Sequence, residues 1–176
     1  MSDRIIIFSG KQYSGKDTAA KIFLEQLKTF RRCAMGDIIK LEYGRTKNLT
    51  YEEIEKNKSK YRQDLINLGN WGRAQSPDYW IKKIIAEDGN IIVTDVRVKH
   101  EYETFKQAGA IAIRVEASRE TRILRGTLIG EDDITEVGLD NVSEWDFVID
   151  NNKDYEHLKT QCNKIIEKIK ELKICD

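Results

Sequence analysis

Proline is almost missing from this chain, with Pro77 the single example among 176 residues. No proline-rich linker, repeat or low-complexity tract divides the sequence. Pro77 itself reads as the N-terminal boundary of a helix that holds Trp80 and Ile84. Long apolar runs are missing too. Nothing approaches the roughly 20 apolar residues that span a bilayer, and the run in MSDRIIIFSG is too short for a secretory signal before it meets a glycine-rich turn. The three cysteines, Cys33, Cys162 and Cys175, are odd in number and far apart, which fits reduced cytosolic thiols better than a disulfide framework or a zinc site. A cytoplasmic compartment and no membrane partner are therefore expected. The two histidines, His100 and His157, lack metal-ligand spacing, and no nucleophile triad is visible. Charge of one sign is absent as well. Lys plus Arg number 30 and Asp plus Glu number 30, so nucleic acid is not an expected partner and any anion site must be local.

What is present is a chain with 40% apolar residues, enough for one well-packed domain over 1–176 but short for two. Arg4 to Ser9 is a β-branched apolar run that ends in a turn, the pattern of a strand buried on both faces of a parallel sheet. From Thr18 to Leu27, Ala19, Ile22, Phe23 and Leu27 fall on one helical face. Phe30 to Ala34 reads as a second strand. Residues 37–88 lack strand alternation and read as several short helices, a helical insertion. Asn90 to Thr94, Ile111 to Val115 and Phe147 to Ile149 are compact β-rich runs separated by helical stretches at about His100 to Ala108 and Ser118 to Arg125. The tail from Tyr155 to Leu172 repeats at three and four residues as a closing amphipathic helix. Such alternation predicts an α/β fold, a three-layer α/β/α sandwich around a parallel five-stranded sheet.

Residues 10–17, GKQYSGKD, fit G-x-x-x-x-G-K with Asp17 in place of the usual Ser or Thr and Thr18 next. Gly10 and Gly15 let the backbone curl so that the N–H groups of Lys11, Gln12, Tyr13 and Ser14 turn inward. The following helix adds its positive end, and Lys16 reaches the β and γ phosphates of a nucleotide. The loop follows a buried strand and opens a helix, the context that separates a nucleotide site from an idle glycine turn. Asp17 is the departure. A carboxylate there can assist a hydrated Mg2+ or orient an acceptor.

The segment NIIVTDVR, residues 90–97, delivers Asp95 and Arg97 to the carboxyl edge of the sheet, where α/β folds bind ligands. Asp95 can hold Mg2+ through water or accept a proton, and Arg97 can clamp a phosphate. A strand-end cap and a surface ion pair are the plainer alternatives. Arg119, Arg122 and Arg125 recur every third residue before a polar stretch, so residues 119–140 read as a lid whose arginines neutralise phosphoryl charge; for Arg119 a solvated surface role is preferred. Arg62 and Arg73 lie in the insertion, where they either meet an acceptor phosphate or stay on the surface. Trp71, Trp80 and Trp145 read as core.

Taken together, these residues resemble two related families of phosphate-loop kinases, animal-type phosphomevalonate kinase and the deoxynucleoside monophosphate kinases of phages and bacteria. FSGKQYSGKD at 8–17 looks like their shared loop, in which Asp after the lysine is a family feature. KYRQDLINLGNWGRAQSPDYW at 60–80 resembles the acceptor region of both, with Arg62 and Arg73 at its basic positions, and Lys58 matches a basic position of the phosphomevalonate kinases. VTDVR and AIRVEAS are most similar to the nucleotide kinases, RILRG and EDDITEVGLDN to phosphomevalonate kinase, and WDFVIDNN to both. The resemblance implies that Asn151 and Asn152 lie near the adenine of ATP. Two positions depart from it: Gln12 and Val98 stand where phosphomevalonate kinases carry arginine, and both changes remove positive charge; at Gln12 the nucleotide kinases usually carry a basic residue as well.

The expected activity is phosphoryl transfer from ATP, with Mg2+, to a small phosphorylated substrate, on a P-loop fold of the nucleoside monophosphate kinase type. Lys16, Asp17, Asp95, Arg97, Arg122 and Arg125 are the expected catalytic set. Gly10 to Thr18 with Asn151 and Asn152 would hold the donor, Asp17 and Asp95 the metal, and Lys58, Arg62, Arg73, Arg97 and Arg114 the acceptor. A deoxynucleoside monophosphate is the leading acceptor and phosphomevalonate the next. A nucleotide-binding regulatory protein is the more distant reading. A monomer or homodimer is expected.

Overall fold

The computed structural model describes residues 4–171. Its first strand, β1 (Arg4–Ser9), shows why the β-branched run forms a central strand. Ile6 and Phe8 point to one face of the sheet and Ile5 and Ile7 to the other, so both faces are covered. On the first face they meet Ala19, Ile22 and Phe23 of α1 (Lys16–Gln26) and Leu158, Cys162, Ile165, Ile166 and Ile169 of α9 (Tyr155–Glu171). On the second they meet Trp80, Ile81 and Ile84 of α5 (Tyr79–Ile85) and Tyr102 and Phe105 of α6 (Lys99–Gln107). Each fully buried Ile or Phe contributes about 1.5–3 kcal/mol.

Around β1 lie β2 (Phe30–Cys33), β3 (Asn90–Val93), β4 (Ile111–Glu116) and β5 (Phe147–Asp150), all parallel, in the order β2-β3-β1-β4-β5. The expected three-layer sandwich with five parallel strands is what forms. Between β2 and β3 the insertion comprises α2 (Met35–Lys47), α3 (Tyr51–Lys56), α4 (Lys58–Gln75) and α5. It is not made of short helices throughout, since α4 runs for 18 residues. That helix packs closely on α5 because Gly69 and Gly72 are its buried positions; a Cβ at Gly72 would lie 2.5 Å from the Trp80 ring, and the Trp80 indole N–H donates to the Gly69 carbonyl at 3.0 Å.

Pro77 lies just before Asp78, the N-cap of α5. After β4, α7 (Arg119–Arg125) leads into the connection read above as a lid, which holds the single turn α8 (Ile134–Val137) and returns to β5. Trp80 is buried, and Trp145 packs against the core, as expected. Trp71 does not: it is 50% exposed, with its edge against Tyr79. Leu172 and Cys175 lie outside the described residues. Cys33 and Cys162 are buried, and burial raises their pKa to about 11 and about 12. Among the described residues no helix is long and apolar enough to cross a membrane.

Candidate active site

In a parallel sheet every strand ends on the same edge, so the connections after all five strands converge there. The phosphate loop leaves β1 at that edge. Tyr13 and Gly15 adopt positive φ, 59° and 94°, which turns the chain into α1 with Gly15 as its N-cap. Gly10 is required by crowding, because a Cβ there would lie 2.4 Å from Ser14 Oγ and 2.6 Å from the Val115 carbonyl. The Lys16 ammonium stays close to the loop, 3.4 Å from the exposed Asp17 carboxylate. Gln12, Tyr13, Gly15, Lys16, Asp17, Thr18 and Arg125 line a cavity of about 440 Å3 at the helix N-terminus. The Ser14 amide is spent on the Lys11 carbonyl at 3.1 Å, so the groups that suit an anion here are the helix terminus and Lys16.

On the α7 side the loop is buttressed by residues from two other strand ends. Arg125 donates to the carbonyls of Tyr13 at 3.2 Å, Ser14 at 3.4 Å and Asn151 at 2.7 Å, and Asn151 donates to the Ser14 carbonyl at 2.8 Å. Asn152 accepts from the Ser118 amide at 2.7 Å and from Thr121 at 3.1 Å. Arg122 is buried and donates to the Gln12 carbonyl at 3.4 Å, whereas Arg119 is exposed in a two-pronged pair with Glu131 at 2.8 and 2.9 Å. The three arginines thus do not share one direction: two brace the loop and one ties the lid to itself.

On the β3 side, Arg97 meets a group that carries no assignment in the sequence. Glu136 of α8 is only 5% exposed; one carboxylate oxygen accepts from the Gln12 amide at 2.9 Å and the other lies 3.5 Å from Arg97 Nη1. The Gln12 side chain pairs with lid backbone, donating to the Ile129 carbonyl at 2.5 Å and accepting from the Ile129 amide at 3.3 Å. Glu136 lies within the polar EDDITEVGLDN segment, where its neighbour Ile134 is itself 63% exposed, so nothing local marks the acid as one that is buried.

Asp95 accepts from the Met35 amide at 3.2 Å, and the Gly36 amide also bonds to it, so it caps the start of α2. Burial pushes its carboxyl above the ordinary value, against the pull of the Met35 and Gly36 amides. In α2, Asp37 accepts from Arg32 at 2.5 Å, Tyr51 at 2.8 Å and Lys40 at 3.3 Å, and buried Lys40 pairs with Glu55 at 2.6 Å. This charge-balanced cluster was not readable in the sequence, where Lys40 is one lysine of many.

Arg114 is buried at the end of β4, bonded to Ser9 Oγ at 3.1 Å, 3.5 Å from Asp140 and stacked over Trp145 at 5.5 Å. Burial lowers its pKa, countered by Glu116, Asp140 and Glu136. With Lys11, itself 2.7 Å from Asp140, it lines a cavity of about 540 Å3 over β4 and β5. Lys58, Arg62 and Arg73 are exposed along α4; Lys58 pairs with Glu55 at 3.6 Å and Arg73 with Asn70 at 2.9 Å. Among the described residues no hydrogen bond or ion pair joins these three to the phosphate loop, nor do three or more acids, cysteines or histidines gather as a metal cage.

Two family models match the chain: phosphomevalonate kinase over residues 8–110 and deoxynucleotide monophosphate kinase over residues 64–162. Among solved structures, the shikimate kinase of Aquifex aeolicus is 15% identical with TM-score 0.52, over 98% of this chain and 99% of that one. An Acinetobacter baumannii shikimate kinase in complex with shikimate is 15% identical with TM-score 0.52, over 97% and 94%. A gluconokinase of Sinorhizobium meliloti is 11% identical with TM-score 0.52, over 97% of both chains. At such identities the structures establish a shared fold. Each family match covers more than half of the sequence, and together they take in the phosphate loop, the insertion and the lid. The chain therefore belongs to the phosphomevalonate kinase and deoxynucleotide monophosphate kinase families, as a P-loop phosphotransferase of small molecules.

Proposed function

We propose that the chain transfers the γ-phosphoryl group of ATP to a phosphate oxygen of a small phosphomonoester, with a deoxynucleoside monophosphate as acceptor. The observation that carries this reading is the convergence of the Gln12 amide and Arg97 on one anion position, now held by Glu136, beside the phosphate loop. The acceptor oxygen would attack the γ phosphorus, a new P–O–P bond would form as the bond to the β-phosphate bridging oxygen breaks, and ADP would leave. Because a phosphomonoester is already a nucleophile near neutral pH, this needs alignment and charge neutralisation more than a strong base. Lys16 and the loop amides hold the donor, with Arg125 and Asn151 bracing the loop from outside.

Magnesium bound to the donor phosphates would neutralise charge on the leaving group and the transferring group. The residues fit such a phosphate-borne ion, which needs only one or two protein oxygens: Asp17 is free to turn, its side chain 77% exposed beside Lys16. Asp95 is committed to the α2 amides and suits the role less.

A nucleoside acceptor is favoured by the surface Trp71 offers for base stacking in the insertion and by Val98, which places no charge where phosphomevalonate kinases carry arginine. Phosphomevalonate is the second reading, favoured by its family match, which spans the whole insertion while the deoxynucleotide match begins at residue 64 within α4. ADP release with a panel of deoxynucleoside monophosphates, ribonucleoside monophosphates and phosphomevalonate tests the proposal. Turnover is expected with one or more deoxynucleotides. Turnover of phosphomevalonate alone would select the second reading, and ATP binding that no acceptor converts to ADP release would favour a regulatory nucleotide-binding protein.

A further inference from the structure

A buried carboxylate on a phosphate-loop amide is chemically unusual, because that amide exists to meet an anion from outside the chain. Glu136 reaches it from a single helical turn in the lid. α8 is pressed onto the connection that carries Arg97: a Cβ at Gly138 would lie 3.0 Å from the Arg97 carbonyl and 3.3 Å from Val98 Cα. The carboxylate therefore has a donor on each oxygen, the Gln12 amide and the Arg97 guanidinium, while Gln12 also clasps Ile129 with its side chain. An arginine at position 12 has no acceptor atom for the Ile129 amide. The glutamine that removes charge from the loop thus supplies the lid contact instead.

The donor's direction follows from the loop. Arg125, Asn151 and the α1 N-terminus mark one end, and Gln12 with Arg97 marks the other. Since the helix terminus takes the β phosphate and Lys16 spans β and γ, the Gln12 end faces the terminal phosphate.

We infer that Glu136 is a displaceable internal anion: without donor its carboxylate fills the position of a terminal phosphoryl oxygen, between the Gln12 amide and Arg97, and keeps the lid seated until phosphate replaces it. Two like charges cannot share this position, so entry of the γ phosphate expels the acid and frees Arg97 to pair with the transferring group. Water is denied the same position while the acid stays there. The inference rests on the kinase reading for the identity of the displacing group.

Calorimetry of ATP and of ADP binding to the full chain and to Glu136→Gln tests it. The amide oxygen still accepts from Gln12, so the lid contact survives while the charge goes. ATP should bind on the order of tenfold tighter to the variant, and ADP, which ends short of Gln12, should change by less than about twofold. Unchanged or weaker ATP binding by a folded variant would overturn the inference and leave the kinase reading standing; failure of both proteins to bind either nucleotide would sink both. If the variant does not fold, hydrogen exchange of the wild-type chain decides. ATP should raise exchange at residues 134–137 and ADP leave it unchanged, and protection of that turn by ATP would overturn the inference.

Discussion

Gly15 shows how much of the site rests on single residues. Its φ of 94° lies in the left-handed region, and a Cβ would fall 2.1 Å from the Asn151 side-chain nitrogen that braces the Ser14 carbonyl. Gly15→Ala is expected to cost about 1–3 kcal/mol, by strain and by displacement of Asn151, and to weaken ATP binding in the same protein. Urea unfolding and calorimetry would measure both, and an unchanged midpoint would remove the crowding argument. The two glycines, Lys16 and Asp17 could be read directly, because a phosphate loop is a local motif whose spacing encodes its geometry. Glu136 could not. Its partners Gln12 and Arg97 lie 124 and 39 positions away in sequence, and a glutamate in a polar stretch looks solvated until the lid is folded.

Among the elements, α2 illustrates a terminus fixed by tertiary contacts. No side chain of its own N-cap, Ala34, bonds to it; the acceptor comes from Asp95 at the end of another strand. By contrast α3 carries its own capping box, with Thr50 and Glu53 bonded reciprocally, and that pattern is visible in the sequence TYEE. Farther into α2, burial works to raise the Asp37 pKa, but the hydrogen bond from Tyr51, the charge of Arg32 and the bond from Lys40 together hold it below the ordinary carboxylate value. An acid with a depressed folded pKa stabilises fully above its unfolded pKa, and that contribution is lost as pH falls through the folded value. Asp37→Asn should therefore cost about 1–3 kcal/mol at neutral pH, with the gap to the wild type closing below about pH 4. Urea midpoints at pH 7 and pH 3 would show this, and an equal gap at both would mean that Asp37 acts through packing and not charge.

At the scale of the whole molecule, the parallel sheet brings the phosphate loop and the start of the helical insertion to one edge. The phosphate loop hangs from β1, the insertion hangs between β2 and β3, and Asp95 ties the end of β3 to the start of α2. Asp95→Ala should lower stability by about 0.5–2 kcal/mol, as for loss of a helix cap. In the assay that the acceptor panel identifies, it should raise the acceptor KM more than the ATP Kd. A larger effect on ATP than on the acceptor would instead point to a metal role for Asp95. The lid is the third part. Its arginines divide between bracing the loop and holding the lid's own Glu131, so the single positive face suggested by their spacing becomes two contacts with different tasks.

The sequence by itself determined the strands, the phosphate loop, the closing helix and the α/β class, because each depends on contacts within a few residues: alternation, glycine spacing and the three-to-four repeat of apolar side chains. It also marked residues 37–88 as helical, since they lack the alternation of a buried strand. Only the tertiary structure decided that Asp95 caps α2, that Lys40 is buried beside Asp37, that Arg114 lies with Lys11 and Asp140 over β4, and that Glu136 sits on the Gln12 amide. These are long-range pairings of charged residues. In a chain with 34% charged residues no local rule distinguishes a side chain that will be buried and paired from one that stays in water, and the choice is made when the strand ends are brought to one edge of the sheet.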